Sequence, residues 1–148
     1  MPRGYGQDCP VARTLDLVGE RWTLLIVRDL LTHGARKFQD FEESLAVAPG
    51  ILSERLKALE EQGVVESRFY SRHPPRPEYM LTPKGRDLRT VVGALAVWGS
   101  KYVHSKSALV HEACGGPVEV GYYCSRCHRR VRDVRLRRTS APQAQAHA

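Results

Sequence analysis

The stretch from Phe38 to Leu81 constrains this chain more than any other. Its first part, FQDFEESL, places Phe38, Phe41 and Leu45 at i, i+3 and i+7, the spacing of one helix face. A break follows at Ala46-Val47-Ala48-Pro49-Gly50. Pro49 stands where a first-turn proline belongs, and ILSERLKALEEQG then carries Leu52, Leu56 and Leu59 as an inward stripe, closed by Gly63. Ser53, Glu54, Arg55 and Lys57 are left facing outward. VVESRFY alternates with period two, Pro74, Pro75 and Pro77 forbid regular pairing across the loop, and Glu78 to Leu81 resumes as a return strand. A helix, a short turn, a second helix and a hairpin with a basic tip outline a winged helix-turn-helix.

The other segments frame this unit. Asp8 as N-cap and Pro10 in the first turn predict a helix from Cys9 to Val18, ended by Gly19. Glu20 to Thr32 reads as a buried core helix, with Trp22, Leu25, Ile26 and Leu30 on a broad apolar face and Gly34 as its stop. Thr82-Pro83, a hydroxyl cap before a proline, starts a further helix reaching about Ser105, roughly six turns. Leu88, Val91, Leu95, Trp98 and Tyr102 lie along one face of it. That surplus apolar face reads either as a dimer seam or as a cover for the domain's own core. The expected fold is mainly α with a small β-hairpin wing over residues 8–105. A Gly-rich, short-stranded extension at 109–135 and a disordered low-complexity tail at 139–148 follow.

At 148 residues the chain suits one domain with a small appendage. No apolar run approaches the ~20 residues of a membrane span, and MPRGYGQDCP holds no signal-peptide core, so no membrane partner and a cytoplasmic location are expected. The formal net charge is +7, and seven arginines against one aspartate between Arg126 and Arg138 give that stretch +6. Such a balance favours polyanions through counterion release, although an arginine-rich tail also serves plain solubility.

Double-stranded DNA is the polyanion that the Phe38–Leu81 unit suits. Its major groove admits one α-helix, whose N-terminal end brings free amides and a favourable dipole toward phosphate. Ser53, Arg55 and Lys57 are the candidates for base edges or phosphates, and Glu54 for a cytosine amine. Arg72, His73 and Arg76 on the hairpin loop would meet the backbone or adjacent minor groove, and Arg36 and Lys37 would clamp phosphates.

Cys9-Pro10, LDLVGERWTLLIVRDLL, KFQDFEESL, ILSERLKALEEQGVVE, PPRPEYMLTPKG and ALAVWG together resemble the HxlR-type winged-helix transcriptional regulators, a likeness covering about residues 8 to 103. The resemblance implies a homodimer formed by the terminal helices and bound to a roughly palindromic operator. Two recognition helices would then enter successive major grooves about one turn apart. The expectation is a sequence-specific regulator, a repressor, with a small molecule or oxidant as effector.

Four cysteines carry separate expectations. Cys9 occupies the Cys-Pro position that senses oxidants in several regulators resembling this one, and the thiolate is favoured at a helix N-terminus. The alternative is inert packing. In the extension, His111-x-x-Cys114 faces Cys124-x-x-Cys127, the ligand set of a zinc-ribbon-like site, with His128 as a competing ligand. A structural zinc, a redox-labile dithiol and a metal-free subdomain are the three readings of that pattern. A zinc-dependent enzyme is not expected, since four protein ligands leave no open position and no His-Glu-x-x-His occurs. The remaining alternative is a protein-interaction module using the ribbon and the arginine-rich tail.

Overall fold

The computed structural model describes residues 4–137, so the expected tail at 139–148 lies outside the described residues. Helix α1 (Pro10–Val18) is capped by Cys9 and not by Asp8, because Pro10 keeps the residue before it extended (φ −141°, ψ 131°). Helix α2 (Thr23–His33) starts three residues after the expected Glu20. Trp22 is left-handed (φ 80°), which breaks the helical run, and Gly34 ends it as anticipated.

Strand β1 (Arg36–Lys37) passes directly into α3 (Phe38–Leu45), whose Asp40 carboxylate accepts the Lys37 N–H at 2.7 Å. Ala46 turns left-handed (φ 51°), and α4 (Pro49–Glu61) starts on its proline after an extended Ala48. Leu52, Leu56 and Leu59 are all buried against Ile26, Val27 and Leu30 of α2 and Phe41 and Leu45 of α3. Each buried leucine contributes roughly 2 kcal/mol. Three in a stripe fix the rotation of α4 about its axis, and with it the residues that face outward.

The wing pairs β2 (Val65–Arg72) with β3 (Pro75–Leu81), in register from Val65 opposite Leu81 to Arg72 opposite Pro75, with a bulge between Phe69 and Ser71. The return strand thus begins at Pro75, earlier than the expected Glu78. The three-stranded sheet has the order β1-β3-β2, yet β1 reaches only Glu78 and Tyr79. Pro75 and Pro77 therefore sit where β3 has one neighbour, and their missing N–H groups break no ladder on the open side.

The expected long helix is two. Helix α5 (Pro83–Asp87) is capped by Thr82, whose hydroxyl accepts the Gly85 N–H at 3.1 Å. Leu88 separates it from α6 (Arg89–Tyr102). No residue of α6 is buried, and Trp98 and Tyr102 are about 60% exposed (59% and 62%). Val11 and Leu15 of α1 are exposed as well. Beyond α6, an antiparallel bridge between Val110 and Pro117 and the hairpin of β4 (Tyr122–Cys124) and β5 (Arg129–Val131) form the extension. No helix among the described residues is long and apolar enough to cross a membrane.

Candidate nucleic-acid interface

The outward side of α4 carries Ser53, Glu54 and Lys57, all exposed; the Lys57 ammonium lies 4.0 Å from Glu61, a surface pair that phosphate readily replaces. Arg55 is different. Its guanidinium lies 3.2 Å from Glu20 and 3.7 Å from Glu54, and its side chain is only 17% exposed. It ties α4 to the turn between α1 and α2, a role for Glu20 that sequence reasoning missed. The two residues lie 35 positions apart, and no periodic signal connects them.

The wing tip presents Arg72, His73 and Arg76, all exposed. The paired residues at the base of β1 divide. Lys37 is exposed, with its ammonium 4.6 Å from the Tyr70 ring centroid, so Tyr70, in the outer part of β2, is held to β1. Arg36 turns inward: it donates to the Asp40 carbonyl at 3.2 Å, and its Nε is buried without a partner. Arg36 is thus a structural cation first, at the entrance of α3.

Asp29 is a polar group buried in α2, the helix that the sequence pattern marks as apolar. Burial pushes its carboxyl upward, but the Ser44 hydroxyl and the Arg28 guanidinium, with Arg36 beyond, outweigh this and hold it below the ordinary carboxylate value. Arg28 donates to one Asp29 oxygen at 2.7 Å and Ser44 to the other, so the acid joins α2 to α3. Because the folded value is the lower one, the bond network adds stability above about pH 3.8 and loses it as pH falls through the folded value. Asp29→Ala is expected to cost about 2 kcal/mol at pH 7, and clearly less at pH 3, in urea unfolding. An equal cost at both would mean the carboxylate is not what binds Ser44 and Arg28.

In the extension, His111 Nδ1 lies 3.2 Å from Cys114 Sγ, and the Cys127 N–H donates to Cys124 Sγ at 3.5 Å. The N–H groups of Cys127 and Arg126 pull the Cys124 thiol below its ordinary value, while Cys127 is raised by its bond to Cys124. The four expected ligands form two pairs. Among the described residues, no three His, Cys, Asp or Glu side chains form a group able to hold a metal. His128 has a positive φ (52°) in the Cys124–Arg129 turn. Cys9, at the other end of the chain, is half-buried and free.

An exposed α4 beside a basic wing is the geometry of a DNA reader, and the profile of the HxlR-like helix-turn-helix family matches residues 17–107. The chain belongs to that family. This HxlR-like regulator is 39% identical over 121 residues to the uncharacterized HTH-type transcriptional regulator Rv3095 of Mycobacterium tuberculosis, covering 79% of this chain and 76% of that one. The crystal structure of the candidate transcription factor PA1607 shares 35% identity at a TM-score of 0.76, over 90% of this chain and 97% of that chain. Its likeness reaches past the family match, so the extension is not peculiar to this HxlR-like regulator. The redox regulator HypR in its oxidized form shares 32% identity at a TM-score of 0.59, over 63% of this chain and 96% of its own. These relatives are transcription regulators and not enzymes.

Proposed function

We propose that the chain is a homodimeric repressor that binds a palindromic operator in the cytoplasm, with one α4 in each of two successive major grooves. The observation that carries this reading is the rotation of α4: three leucines face in, while Ser53, Glu54 and Lys57 face out beside the arginine-tipped wing. Base edges fall to Ser53, Glu54 and Lys57. Arg55 joins them by exchanging Glu20 for a phosphate, and Arg72, His73 and Arg76 take the flanking backbone. Arg36 orders the entrance to α3, while Lys37 meets phosphate directly.

Dimerisation is supported by the exposed Leu95, Trp98 and Tyr102 of α6 and Val11 and Leu15 of α1, apolar side chains that a second copy would cover. Trp98→Glu is expected to shift the protein from dimer to monomer in analytical ultracentrifugation and to weaken operator binding at least tenfold. A dimer that survives the change would place the seam elsewhere. The reading as a whole is tested by mobility shift with upstream DNA at several salt concentrations. Tight binding that depends on DNA sequence is the expected result; its absence favours the interaction-module alternative.

Oxidant responsiveness through Cys9 fits a half-buried thiol at the start of the α1 surface, since adding bulk there would disturb the seam. For the extension, zinc held by His111, Cys114, Cys124 and Cys127 is the reading that uses both turns: each pair already shares one turn, and three thiols with one imidazole suit that ion. Closing the two turns on each other would make a tetrahedral, purely structural site. Protein purified without chelator is then expected to hold about one zinc per chain, and metal-free protein with an unchanged melting profile would dispose of the site.

A further inference from the structure

A large cavity lies between α2, α6 and the extension. It measures about 970 Å³, at the upper end for a drug-sized ligand. Its floor is apolar, with Leu24, Leu25 and Leu31 of α2 and Val92 and Leu95 of α6, and its far wall is Leu109, Val110 and Val118. The extension thus does more than trail from the domain: it closes one side of a groove that α2 and α6 leave open.

The charged groups lining the groove are unevenly placed. Arg28 and Arg89 belong to the helices, whereas His111 and Glu112 belong to the opposite wall. Arg89 also borders the neighbouring depression at Leu30, Leu31, Gly34 and Ala35, which sets it beside the C-terminal end of α2, one turn beyond Arg28. Arg89 has no carboxylate within ion-pair distance among the described residues. Arg28 shares its charge with Asp29 through one edge of the guanidinium and is otherwise 46% exposed. Arg89 is exposed beside an apolar groove, so its guanidinium is free to pair with an anion seated there.

We infer that this groove binds an organic anion with a bulky apolar body, its carboxylate held by Arg89 and Arg28 and its hydrocarbon lying between α6 and the extension. Glu112 sets the orientation, since it repels the head group from the far wall. Gly93 keeps the groove open: a Cβ there would already touch Leu109 at 3.5 Å, so a larger side chain fills the space. Binding itself stands independently of the operator reading; its effect on DNA rests on that reading. That effect has a physical route, because Asp29 and Ser44 join α2 to α3, and Leu95 of the groove floor is also part of the exposed α6 surface.

The test uses the full chain and 8-anilinonaphthalene-1-sulfonate, an anionic dye that brightens on entering an apolar site, displaced by decanoate, decanol or decylamine without DNA. Decanoate should displace the dye at least tenfold more effectively than decanol or decylamine. Arg89→Gln should weaken decanoate about tenfold and leave decanol unchanged. Gly93→Leu should abolish dye binding, while its α-helical circular dichroism is unchanged. The inference is overturned by equal displacement by the three probes, or by dye binding that survives Gly93→Leu and disappears in Trp98→Ala, which would place the dye on the α6 surface. Operator affinity measured with and without decanoate then tests the link to DNA: binding without any change in operator affinity keeps the site and removes its regulatory role.

Discussion

Replacing Gly85 by alanine is expected to lower the melting temperature by about 10 °C. Gly85 is buried in α5, and a Cβ on it would fall on the Val64 carbonyl oxygen, with Leu81 Cδ2 at 3.0 Å. That carbonyl cannot simply retreat. It accepts the Thr82 N–H at 3.1 Å and the Thr82 hydroxyl at 3.2 Å, so moving it breaks the joint between β3 and α5. Overpacking and two strained hydrogen bonds together cost about 4 kcal/mol, and the better helix propensity of alanine returns about 1 kcal/mol. The net loss of about 3 kcal/mol corresponds to the stated drop for a chain of this size. Gly50→Ala is the control, since a Cβ at Gly50 meets nothing within 4 Å, and it should melt no lower than the parent. A Gly85→Ala protein melting within about 2 °C of the parent would mean that α5 does not pack on Val64 as described. The functional interest is geometric: this joint lies between the wing and the helices α5 and α6, and in the proposed homodimer it would set the spacing of the two wings.

The same contact explains why part of the fold was legible in the sequence and part was not. The helix pair α3 and α4 could be read because Phe41, Leu45, Leu52, Leu56 and Leu59 keep one period and the turn carries its own markers, and all five are buried. The break at Leu88 had no such marker. The apolar stripe continues through it, and the packing of α5, with Gly85 against the Val64 carbonyl just before β2, joins residues 21 positions apart that no local period connects. Similarly, Pro75 and Pro77 argued against a strand only on the assumption of neighbours on both sides, and β1 is two residues long. At the candidate site, exposure of Ser53, Glu54 and Lys57 followed from the leucine stripe alone. The inward turns of Arg55 and Arg36 did not, because each depends on a partner from another element, Glu20 in one case and the α3 entrance in the other. Local period tells which way a Cβ points; it does not tell where a long cationic side chain ends.

Arg72→Ala combined with Arg76→Ala should reduce operator affinity about a hundredfold near 0.1 M salt, with little change in stability. Both residues are exposed, and neither has a carboxylate partner among the described residues, so folding loses almost nothing. In a homodimer four cations disappear. Each neutralised phosphate contributes about 0.9 to the slope of log affinity against log salt, so the slope should flatten by about 3 to 4. Operator and unrelated DNA should lose affinity by similar factors, because phosphate contacts position the protein and carry no sequence information. Lys57→Ala on α4 should behave differently, weakening the operator more than unrelated DNA if its ammonium reaches a base edge. The discriminating quantity is the slope. If it stays unchanged in the wing variant and flattens instead with Arg129→Ala and Arg130→Ala, the polyanion lies against the extension. The wing then has no part in binding, and the arginines after Cys127 become the nucleic-acid surface.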